Sequence, residues 1–427
     1  MRPVLFRHAR VIDPSQRLDA VTTLLTHDGM VAAIGDDIGT PDDAEIVDAT
    51  GLVLAPGFVD VHVHLREPGQ EERETIATGA MSAVAGGFTG ICAMPNTDPV
   101  IDNQGAVGFV KAKGEAARLA RVYPIGCVSL GQKGERLAEF GEMVAAGAVA
   151  VSDDGHPIMS SHLMRTALEY ARTFDIPVAD HCEDSALAAG GAMHEGIVST
   201  RLGLKGIPAA AEEIHVARDI ILAELTGGHV HLCHMSTRGS VALIRRARDM
   251  GLRISAEAAP HHFALTHDRC EGYDTNAKMN PPLREAADRD AIRGALADGT
   301  LDCIATDHAP HHYDAKEREF DDAPNGIIGL ETAFSVAFGE LVLSGLMDLS
   351  TLVERMSCSP ARLWRLPGGT LRRGSEADLV LIDPEAHWTV DIQRLRSRSR
   401  NTPWGGVTLP GVIHSTYVGG HRVFAAG

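Results

Sequence analysis

Two histidines in the segment DVHVHL could hold a metal ion. His62 and His64 lie two residues apart on a predicted strand, so both imidazoles point to the same face. Such an HxH pair suits two bonds to one ion, since imidazole nitrogens bind zinc at about 2.0–2.1 Å. Alone, the pair is equally compatible with two hydrogen-bonded structural histidines, because short motifs match by chance.

Further metal-binding side chains end four other predicted strands. They are Asp154 in VAVSDDG, Asp180 or His181 in PVADHC, His231 or His234 in VHLCHM, and Asp307 or His308 in CIATDHAP. Alternation along the strand puts Asp154 on the face of Ser152 and turns Asp153 away. Six such groups crowded at one place would be costly to bury without a cation, so chance is a poor explanation of the whole set.

Four imidazoles and two carboxylates form a ligand set that suits Zn²⁺, with Co²⁺ and Mn²⁺ as alternatives. One ion cannot take six protein ligands and keep an open position for a reactant. Two ions about 3.5–4 Å apart can share a carboxylate and keep such a position. A site with two zinc ions is therefore favoured over a site with one.

The elements that must position these residues follow a βα rhythm, in which short apolar runs alternate with longer helical segments. The predicted strands are 58–65, 88–94, 122–128, 147–152, 176–182, 229–235, 252–258 and 301–307. Eight strands over about 250 residues match an α/β fold of the (β/α)8 TIM-barrel type, in which active sites lie at the carboxyl ends of the strands. An open doubly wound sheet is the alternative, but it would usually have a Gly-rich phosphate turn where this sequence has DVHVHLREPG.

Both ends of the chain depart from this rhythm. Residues 1–55 and 366–427 contain short predicted strands separated by turn signals such as HDG and ATG. We expect these two segments to form one small β-sandwich domain built from both termini. Residues 56–365 would then be the barrel, inserted between them.

Composition limits the range of partners. The 427 residues are 44% hydrophobic, which is enough for a large core, and their formal net charge is −18. Such an acidic surface would not attract phosphate, so neither nucleic acid nor an anionic membrane is an expected partner. The N-terminus lacks the apolar run of a signal peptide. The seven cysteines form no CxxC motif, so a reducing cytoplasm is expected and a disulfide framework is not.

Several motifs together resemble one enzyme family. DVHVHLREPG, GGFTGICAMPNTDP, SDDG, NPPLR and ATDHAPH resemble the dihydroorotase branch of the amidohydrolase superfamily, in the bacterial subclass whose members often work with aspartate transcarbamoylase. The likeness covers nearly the whole chain and includes GTLRRGSEADLVLIDP near the C-terminus. It implies reversible, zinc-dependent cyclisation of N-carbamoyl-L-aspartate to dihydroorotate in pyrimidine biosynthesis. It also implies a homo-oligomer, with aspartate transcarbamoylase as a candidate partner.

The resemblance assigns roles to the metal-binding residues. It implies that the first metal is bound by His62, His64 and Asp307, the second by His181 and His234, with Asp154 bridging both. Asp307 is also the expected catalytic residue, which moves the proton from water to the ring nitrogen. Many relatives, including hydantoinases and allantoinases, bridge the metals with a carboxylated lysine. GAVAVSDDG contains no lysine, which favours the subclass bridged by aspartate.

The resemblance also implies a set of substrate-binding residues. Arg66 and Asn96 match positions that hold the substrate carboxylate, and Asn280 and His311 match positions that contact the ring or the carboxylate. The backbone near Pro324 and Gly326 matches the stretch that recognises the pyrimidine edge. Arginine suits its role because a guanidinium can grip a carboxylate with two parallel hydrogen bonds. Taken alone, Arg66 could equally form a surface salt bridge.

Other histidines are interpreted as structural. His215 lies on a predicted helix, and His261 and His262 follow the seventh predicted strand, but the ligand set is complete without them. His308 and His312 could orient ligands from behind.

Three other functions are compatible with parts of this pattern. The first is another cyclic amidohydrolase, of the hydantoinase or allantoinase type, which the missing lysine disfavours. The second is a non-catalytic scaffold of aspartate transcarbamoylase, which should have lost ligands. The third is a phosphotriesterase or deaminase on the same fold, which would have little use for Arg66.

Overall fold

Residues 2–426 are described by a computed structural model, and they form a parallel barrel and a second, mainly antiparallel sheet. The strands are β1 Val4–Asp13, β2 Leu18–His27, β3 Met30–Ile34, β4 Glu45–Asp48, β5 Val53–Pro56, β6 Phe58–Val63, β7 Phe88–Ala93, β8 Arg121–Gly126, β9 Ala150–Ser152, β10 Val178–Asp180, β11 Met193–His194, β12 Gly206–Ile207, β13 Val230–Leu232, β14 Ile254–Ala258, β15 Cys303–Ile304, β16 Leu379–Thr389, β17 Thr408–Val418 and β18 His421–Ala425.

The helices lie between these strands. They are α1 Ile76–Ala85, α2 Gln104–Ala117, α3 Phe140–Ala146, α4 Ser161–Phe174, α5 Ser185–Ala188, α6 Ile197–Leu202, α7 Ala209–Thr226, α8 Arg238–Asp249, α9 Pro260–Ala264, α10 Ala286–Asp298, α11 Tyr313–Lys316, α12 Ala333–Ala337, α13 Leu349–Val353 and α14 Ser359–Leu363. A π-helical segment, Phe338–Leu343, continues α12, and another, Glu354–Cys358, joins α13 to α14.

The barrel confirms the predicted fold class. Its strands pair in parallel in the order β6-β7-β8-β9-β10-β13-β14-β15, and a bridge between Val63 and His308 brings the last strand end back to the first. Each of the eight predicted strand regions overlaps one of these strands, and only β8 begins outside its region, one residue early at Arg121. The observed strands are shorter, and β15 has only two residues.

Small residues fill the lower interior of the barrel and helices cover its outside. Cys92, Ala150, Ala179 and Cys233 are buried there in one apolar cluster with Trp364, which follows α14. The outer helices bury one face each. In α4 the buried residues recur at the spacing expected for an amphipathic helix: Leu163, Met164, Ala167, Leu168 and Ala171.

The two ends of the chain build one eight-stranded sheet in the order β18-β17-β16-β5-β1-β2-β3, with β4 paired to β1. Three strand spacings separate β17 from β1, which would be about 14 Å in a flat sheet. The rings of Phe6 and Tyr417, on these two strands, nevertheless lie 5.1 Å apart. The sheet therefore folds over on itself and encloses a core in the manner of a sandwich, as predicted from the terminal segments.

The outer face of this sheet packs on the barrel. Leu54, Leu379 and Leu381 point into the core of the sheet itself. Their neighbours Ala55 and Val380, on alternate positions, belong to the main core of the barrel and its helices. The two sheets are thus held together by apolar contact rather than by a flexible connection.

Two further properties concern the described chain as a whole. All seven cysteines are buried and free. Among the described residues, no helix combines the length and apolar character required to cross a bilayer.

Candidate metal centre

The six predicted metal ligands lie together at one end of the barrel. His62 belongs to β6, and Asp154, His181, His234 and Asp307 lie just beyond the carboxyl ends of β9, β10, β13 and β15. All six side chains, including that of His64, are buried. Parallel strands bring their carboxyl ends to the same rim, which is why residues far apart in sequence meet there.

Asp154 lies at the centre of the cluster. Its carboxylate oxygens are 3.5 Å from His62 Nε2 and 3.4 Å from His64 Nε2. They are also 3.6 Å from His181 Nδ1 and 3.4 Å from His234 Nε2. One carboxylate that faces all four imidazoles is placed as a bridging ligand would be.

Asp307 completes one side of the cluster. Its Oδ1 atom is 3.1 Å from His64 Nε2 and 3.5 Å from His62 Nε2. The backbones of Asp307 and His234 adopt φ angles of 46° and 37°, in the left-handed region that L-residues seldom occupy. Backbone strain of this kind persists where the surrounding structure imposes it, and it is common at functional sites.

The spacing of the donor atoms fits bound metal ions. Ligands bonded tetrahedrally at about 2.0–2.1 Å lie about 3.4 Å from one another. The separations around Asp154 and Asp307 run from 3.1 to 3.6 Å. Moreover, His62 Nε2 is buried and has no hydrogen-bond partner among the described residues, which a metal ion in the cluster would remedy.

The charges of the cluster also suit a cation. Burial raises the pKa of Asp154, but His62, His181 and His234 outweigh burial and hold that pKa well below its usual value. Burial likewise opposes ionisation of Asp307, but His62 and His64 lower the pKa of this carboxyl group. Both carboxylates are therefore ionised at neutral pH and are available as ligands.

Three of the four imidazoles are held from behind by a polar side chain. Such contacts fix the ring orientation of a metal ligand. The pairs are His62 Nδ1 with Glu257 Oε1 at 2.7 Å, His64 Nδ1 with Asn96 Oδ1 at 2.8 Å, and His181 Nε2 with Asn280 Nδ2 at 3.3 Å.

The hydrogen bonding of Asn280 to His181 improves if the Oδ1 and Nδ2 positions of its carboxamide are exchanged. Its Oδ1 atom is buried without a hydrogen-bond partner, whereas Nδ2 faces His181 Nε2. In the reversed orientation Oδ1 would accept the Nε2–H of His181. The Nδ1 lone pair of His181 would then face Asp154 and a metal ion.

Glu257 was not singled out from the sequence. It is buried on β14, and its second oxygen lies 2.9 Å from His231 Nε2. The available signal was a lone acidic residue in the apolar strand ISAEA, since a fully buried glutamate almost always has a partner.

Arg66 is a buried cation beside this cluster. Its Nε donates to Pro310 O at 3.2 Å, and residues 2–426 provide its guanidinium with no ion pair. Burial and the nearby Arg73 lower the pKa of Arg66 to about 10, so it remains charged at neutral pH. Its cation also contributes, after burial, to the lowered pKa of His64.

His311 lies on Gly326 at the start of a loop. Its Nε2 donates to Asn325 O at 2.8 Å, and its Nδ1 is buried without a partner in the described chain. Burial, together with the cations Arg66 and Lys316, lowers the pKa of His311 to about 2. The ring is therefore neutral, and Nδ1 offers a lone pair rather than a proton.

The backbone of Pro324 and Gly326 is already engaged within the chain. Pro324 O accepts a bond of 2.8 Å from the buried ammonium group of Lys316, which also donates to Thr275 O at 2.9 Å. Gly326 N–H donates to Lys278 O at 3.0 Å. The predicted contact of this backbone with a pyrimidine edge stays a prediction.

The remaining polar residues fill structural roles. Asp153 points away from the cluster, as predicted, and accepts from the N–H groups of Val128 and Ser129 at 2.9 and 3.1 Å. His262 Nε2 donates to Pro281 O at 2.8 Å. His215 is buried on α7, 2.9 Å from Asp180.

Comparison with known proteins gives consistent matches. A family model described as Dihydro-orotase-like matches residues 51–240. A protein named dihydroorotase from Anaeromyxobacter dehalogenans is 56% identical over 426 residues, covering 99% of this chain and 98% of that protein. Another protein of that name, from Pelobacter propionicus, is 53% identical over 421 residues and 99% of both chains.

Solved structures of related enzymes share the architecture. An L-hydantoinase (dihydropyrimidinase) from Arthrobacter aurescens has a TM-score of 0.90 at 27% identity, covering 100% of this chain and 97% of that chain. A dihydropyrimidinase from Brevibacillus agri has a TM-score of 0.86 at 25% identity, covering 99% and 95%. Given more than half identity over the full length, the chain belongs to the dihydroorotase family.

Proposed function

We propose that the chain is a zinc-dependent dihydroorotase, which interconverts N-carbamoyl-L-aspartate and dihydroorotate in the de novo synthesis of UMP. Support comes from the full-length relatives that carry this name and from the cluster of His and Asp side chains at the barrel rim. We further propose that all six clustered residues bind metal, with Asp154 between the two ions.

The observation that carries the substrate assignment is the buried guanidinium of Arg66. A buried charge is costly unless an opposite charge pairs with it, and the described chain supplies no such partner. Dihydroorotate has a carboxylate beside its ring, which a guanidinium can bind through two parallel hydrogen bonds. Hydantoin and dihydrouracil are neutral rings and would leave Arg66 unpaired.

The chain's own residues then have defined roles in ring opening. Arg66 holds the carboxylate and so fixes the ring carbonyl near the carboxylate of Asp307. Asp307 takes a proton from the attacking water and delivers it to the ring nitrogen as the C–N bond breaks. The lone pair on His311 Nδ1 suits a ring N–H better than it suits a carboxylate. A bound metal pair would lower the pKa of water and polarise the ring carbonyl.

In this proposal Asn96 and Asn280 both orient predicted metal ligands, and Asn96 also binds substrate. Each holds the far nitrogen of a predicted ligand, His64 and His181 respectively. Asn96 Nδ2 also approaches Asp154 O at 3.4 Å, which is a long contact, and it has a second N–H group. We propose that this second N–H group contributes to binding the substrate carboxylate.

The substrate assignment is tested with kcat/KM of the zinc-loaded chain for dihydroorotate, dihydrouracil and hydantoin. The unmodified chain should prefer dihydroorotate. Arg66→Met should lower kcat/KM for dihydroorotate about 10- to 100-fold, because charge-assisted hydrogen bonds contribute about 1.5–3 kcal/mol. Values for the neutral rings and the zinc content should not change.

Arg73→Met is the matched control, since Arg73 already lies 3.3 Å from Glu72 and should have little effect. Faster turnover of a neutral ring by the unmodified chain would move the assignment to the hydantoinase type. An Arg66→Met variant with unchanged selectivity would remove Arg66 from the site.

The setting of the reaction is also a proposal. We propose a cytoplasmic homo-oligomer, with aspartate transcarbamoylase as a partner protein and with no nucleic-acid or membrane partner. Adding aspartate transcarbamoylase to the assay tests the partner directly. Activity that requires it would mean that assembly orders the site, whereas full activity alone would make the partner optional.

A further inference from the structure

Asn401 connects the C-terminal part of the chain to the substrate side of the metal centre. It lies between β16 and β17 and is only 3% exposed. Its Oδ1 accepts the N–H of His311 at 3.1 Å, and its Nδ2 donates to Ala309 O at 2.9 Å and to Gly326 O at 3.0 Å. Its backbone carbonyl accepts the N–H of Ile328 at 3.0 Å.

The bonds of Asn401 extend a short parallel pairing between the segment at His308 and Ala309 and the segment at Gly326 and Ile327. His308 and Ile327 form a parallel bridge, and Ala309 N–H donates to Ile327 O at 2.9 Å. Ala309 O and Gly326 O, like any buried carbonyl groups, still need donors. The Nδ2 group of Asn401 donates to both carbonyl groups, so its carboxamide links the two segments where no backbone hydrogen bond does.

The two segments meet too closely to move independently. Gly326 has a φ of +152°, and a Cβ atom there would lie 2.6 Å from Ala309 O and 2.7 Å from His311 Cδ2. The imidazole of His311 therefore rests directly on the Gly326 backbone, with Nε2 bonded to Asn325 O. A shift of either segment would carry the imidazole with it.

We propose that Asn401 is a positioning residue for substrate binding: its carboxamide fixes the segments that carry His311 and Gly326, and so sets where His311 Nδ1 stands relative to the metal centre. This role rests on the proposed function, in which His311 contacts the substrate ring. Asn401 makes none of its hydrogen bonds to a predicted metal ligand or to Arg66.

The hydrogen-bond pattern makes the amide group specific. Two donors and one acceptor are needed, and asparagine provides both in a planar group of the right size. Asn401→Asp keeps the shape but sets an oxygen against two carbonyl oxygens. Asn401→Ala removes the bonds without adding a charge, and it covers the case in which the aspartate variant does not fold.

The test compares KM, kcat, zinc content and a crystal structure for both variants and for the unmodified chain. We expect KM for dihydroorotate to rise about tenfold with a smaller change in kcat and unchanged zinc content, since small misplacements of binding groups are costly. The crystal structure should show the His311 ring displaced by about 0.5 Å or more, the tolerance typical of functional sites.

Asn103→Ala is the matched control. It removes three bonds without reaching the site: Asn103 Oδ1 accepts from the N–H groups of Gly105 and Ala106 at the start of α2, and Nδ2 donates to Asp102 Oδ1. It should lower the melting temperature and leave KM unchanged. If the Asn401 variants behave like this control, with His311 unmoved, the positioning role is wrong. If the unmodified chain does not turn over dihydroorotate, the proposed function fails, and the position of His311 in the crystal structure still decides the role of Asn401.

Discussion

A histidine that binds a metal through one nitrogen depends on what holds its other nitrogen. Glu257 holds His62 with a bond of 2.7 Å and also contacts His231 at 2.9 Å. Burial raises the pKa of Glu257, but the two imidazoles outweigh it and bring that pKa to about 2. The carboxylate is thus fully ionised and leaves the Nε2 lone pair of His62 directed at the cluster.

Glu257→Gln should therefore weaken zinc binding about 10- to 100-fold, the usual loss when such a partner is removed. Competition with a chelator of known affinity measures this loss. Glu212→Gln is the control, because Glu212 is equally buried but accepts from the N–H groups of Ser236 and Thr237. Equal losses of zinc affinity in both variants would show that Glu257 acts only through the stability of the fold.

At this scale the sequence predicts which His and Asp residues cluster better than it predicts the side chains that hold them. An HxH pair at a strand end has a recognisable local pattern. Glu257 lies 195 positions from His62, and Asn401 lies 75 positions from Gly326, so no local pattern marks either contact. Even where a residue stands out locally, as the lone acidic residue of ISAEA does, its partner is identified only from the fold.

At the scale of elements, the conformation of the loop from His311 to Gly326, which contains α11, depends on one buried lysine. Lys316 donates to Thr275 O and Pro324 O, and so ties this loop to the segment before Asn280. Burial, with a contribution from the Lys278 cation, lowers the pKa of Lys316 to about 7. An unfolded chain would restore a pKa of about 10.4.

Between these two pKa values the unfolded chain binds more protons than the folded chain, so this lysine makes the protein more stable as pH rises from about 7 to about 10. Lys316→Met should remove that trend. As pH rises from about 7 to about 10, the unfolding free energy of the unmodified chain should increase relative to that of the variant. Denaturant titration at several pH values measures both. Parallel curves would show that Lys316 does not titrate in this range.

The strands were predictable as elements, whereas this loop was not. Alternating apolar runs reveal a barrel strand, and the ends of β6, β9, β10 and β13 fall close to the predicted ends. The loop from His311 to Gly326 has no such periodicity. Its conformation depends on buried ammonium and amide groups from other parts of the chain.

At the scale of the whole molecule, the terminal sheet and the barrel share one core. Phe334 stacks on Phe58 of the barrel with ring centres 5.6 Å apart. Its ring also lies against Gly411 of β17, where a Cβ atom would be only 2.9 Å away. We propose that residues 1–55 and 366–427 form one domain and residues 56–365 form the other. We expect the two domains to unfold together.

Phe334→Ala should lower the free energy of unfolding by about 3–5 kcal/mol, the usual cost of deleting a buried phenylalanine ring. Trp364 reports on the barrel interior and Trp388 on β16, so fluorine NMR of fluorotryptophan-labelled protein can follow each part separately. Both signals should change at the same denaturant concentration, in the unmodified chain and in the variant. Two separate midpoints would show that the domains fold independently.

The proposed reaction is tested most directly by incubating the zinc-loaded chain with dihydroorotate alone and with N-carbamoyl-L-aspartate alone. Ring opening creates a carboxylate and releases a proton, so the ratio of open to closed form should rise about tenfold per pH unit well above a carboxyl pKa of about 4. The account predicts interconversion in both directions, arriving at one ratio that shifts about 100-fold between pH 6 and pH 8. No interconversion with zinc bound, with or without aspartate transcarbamoylase, would contradict it.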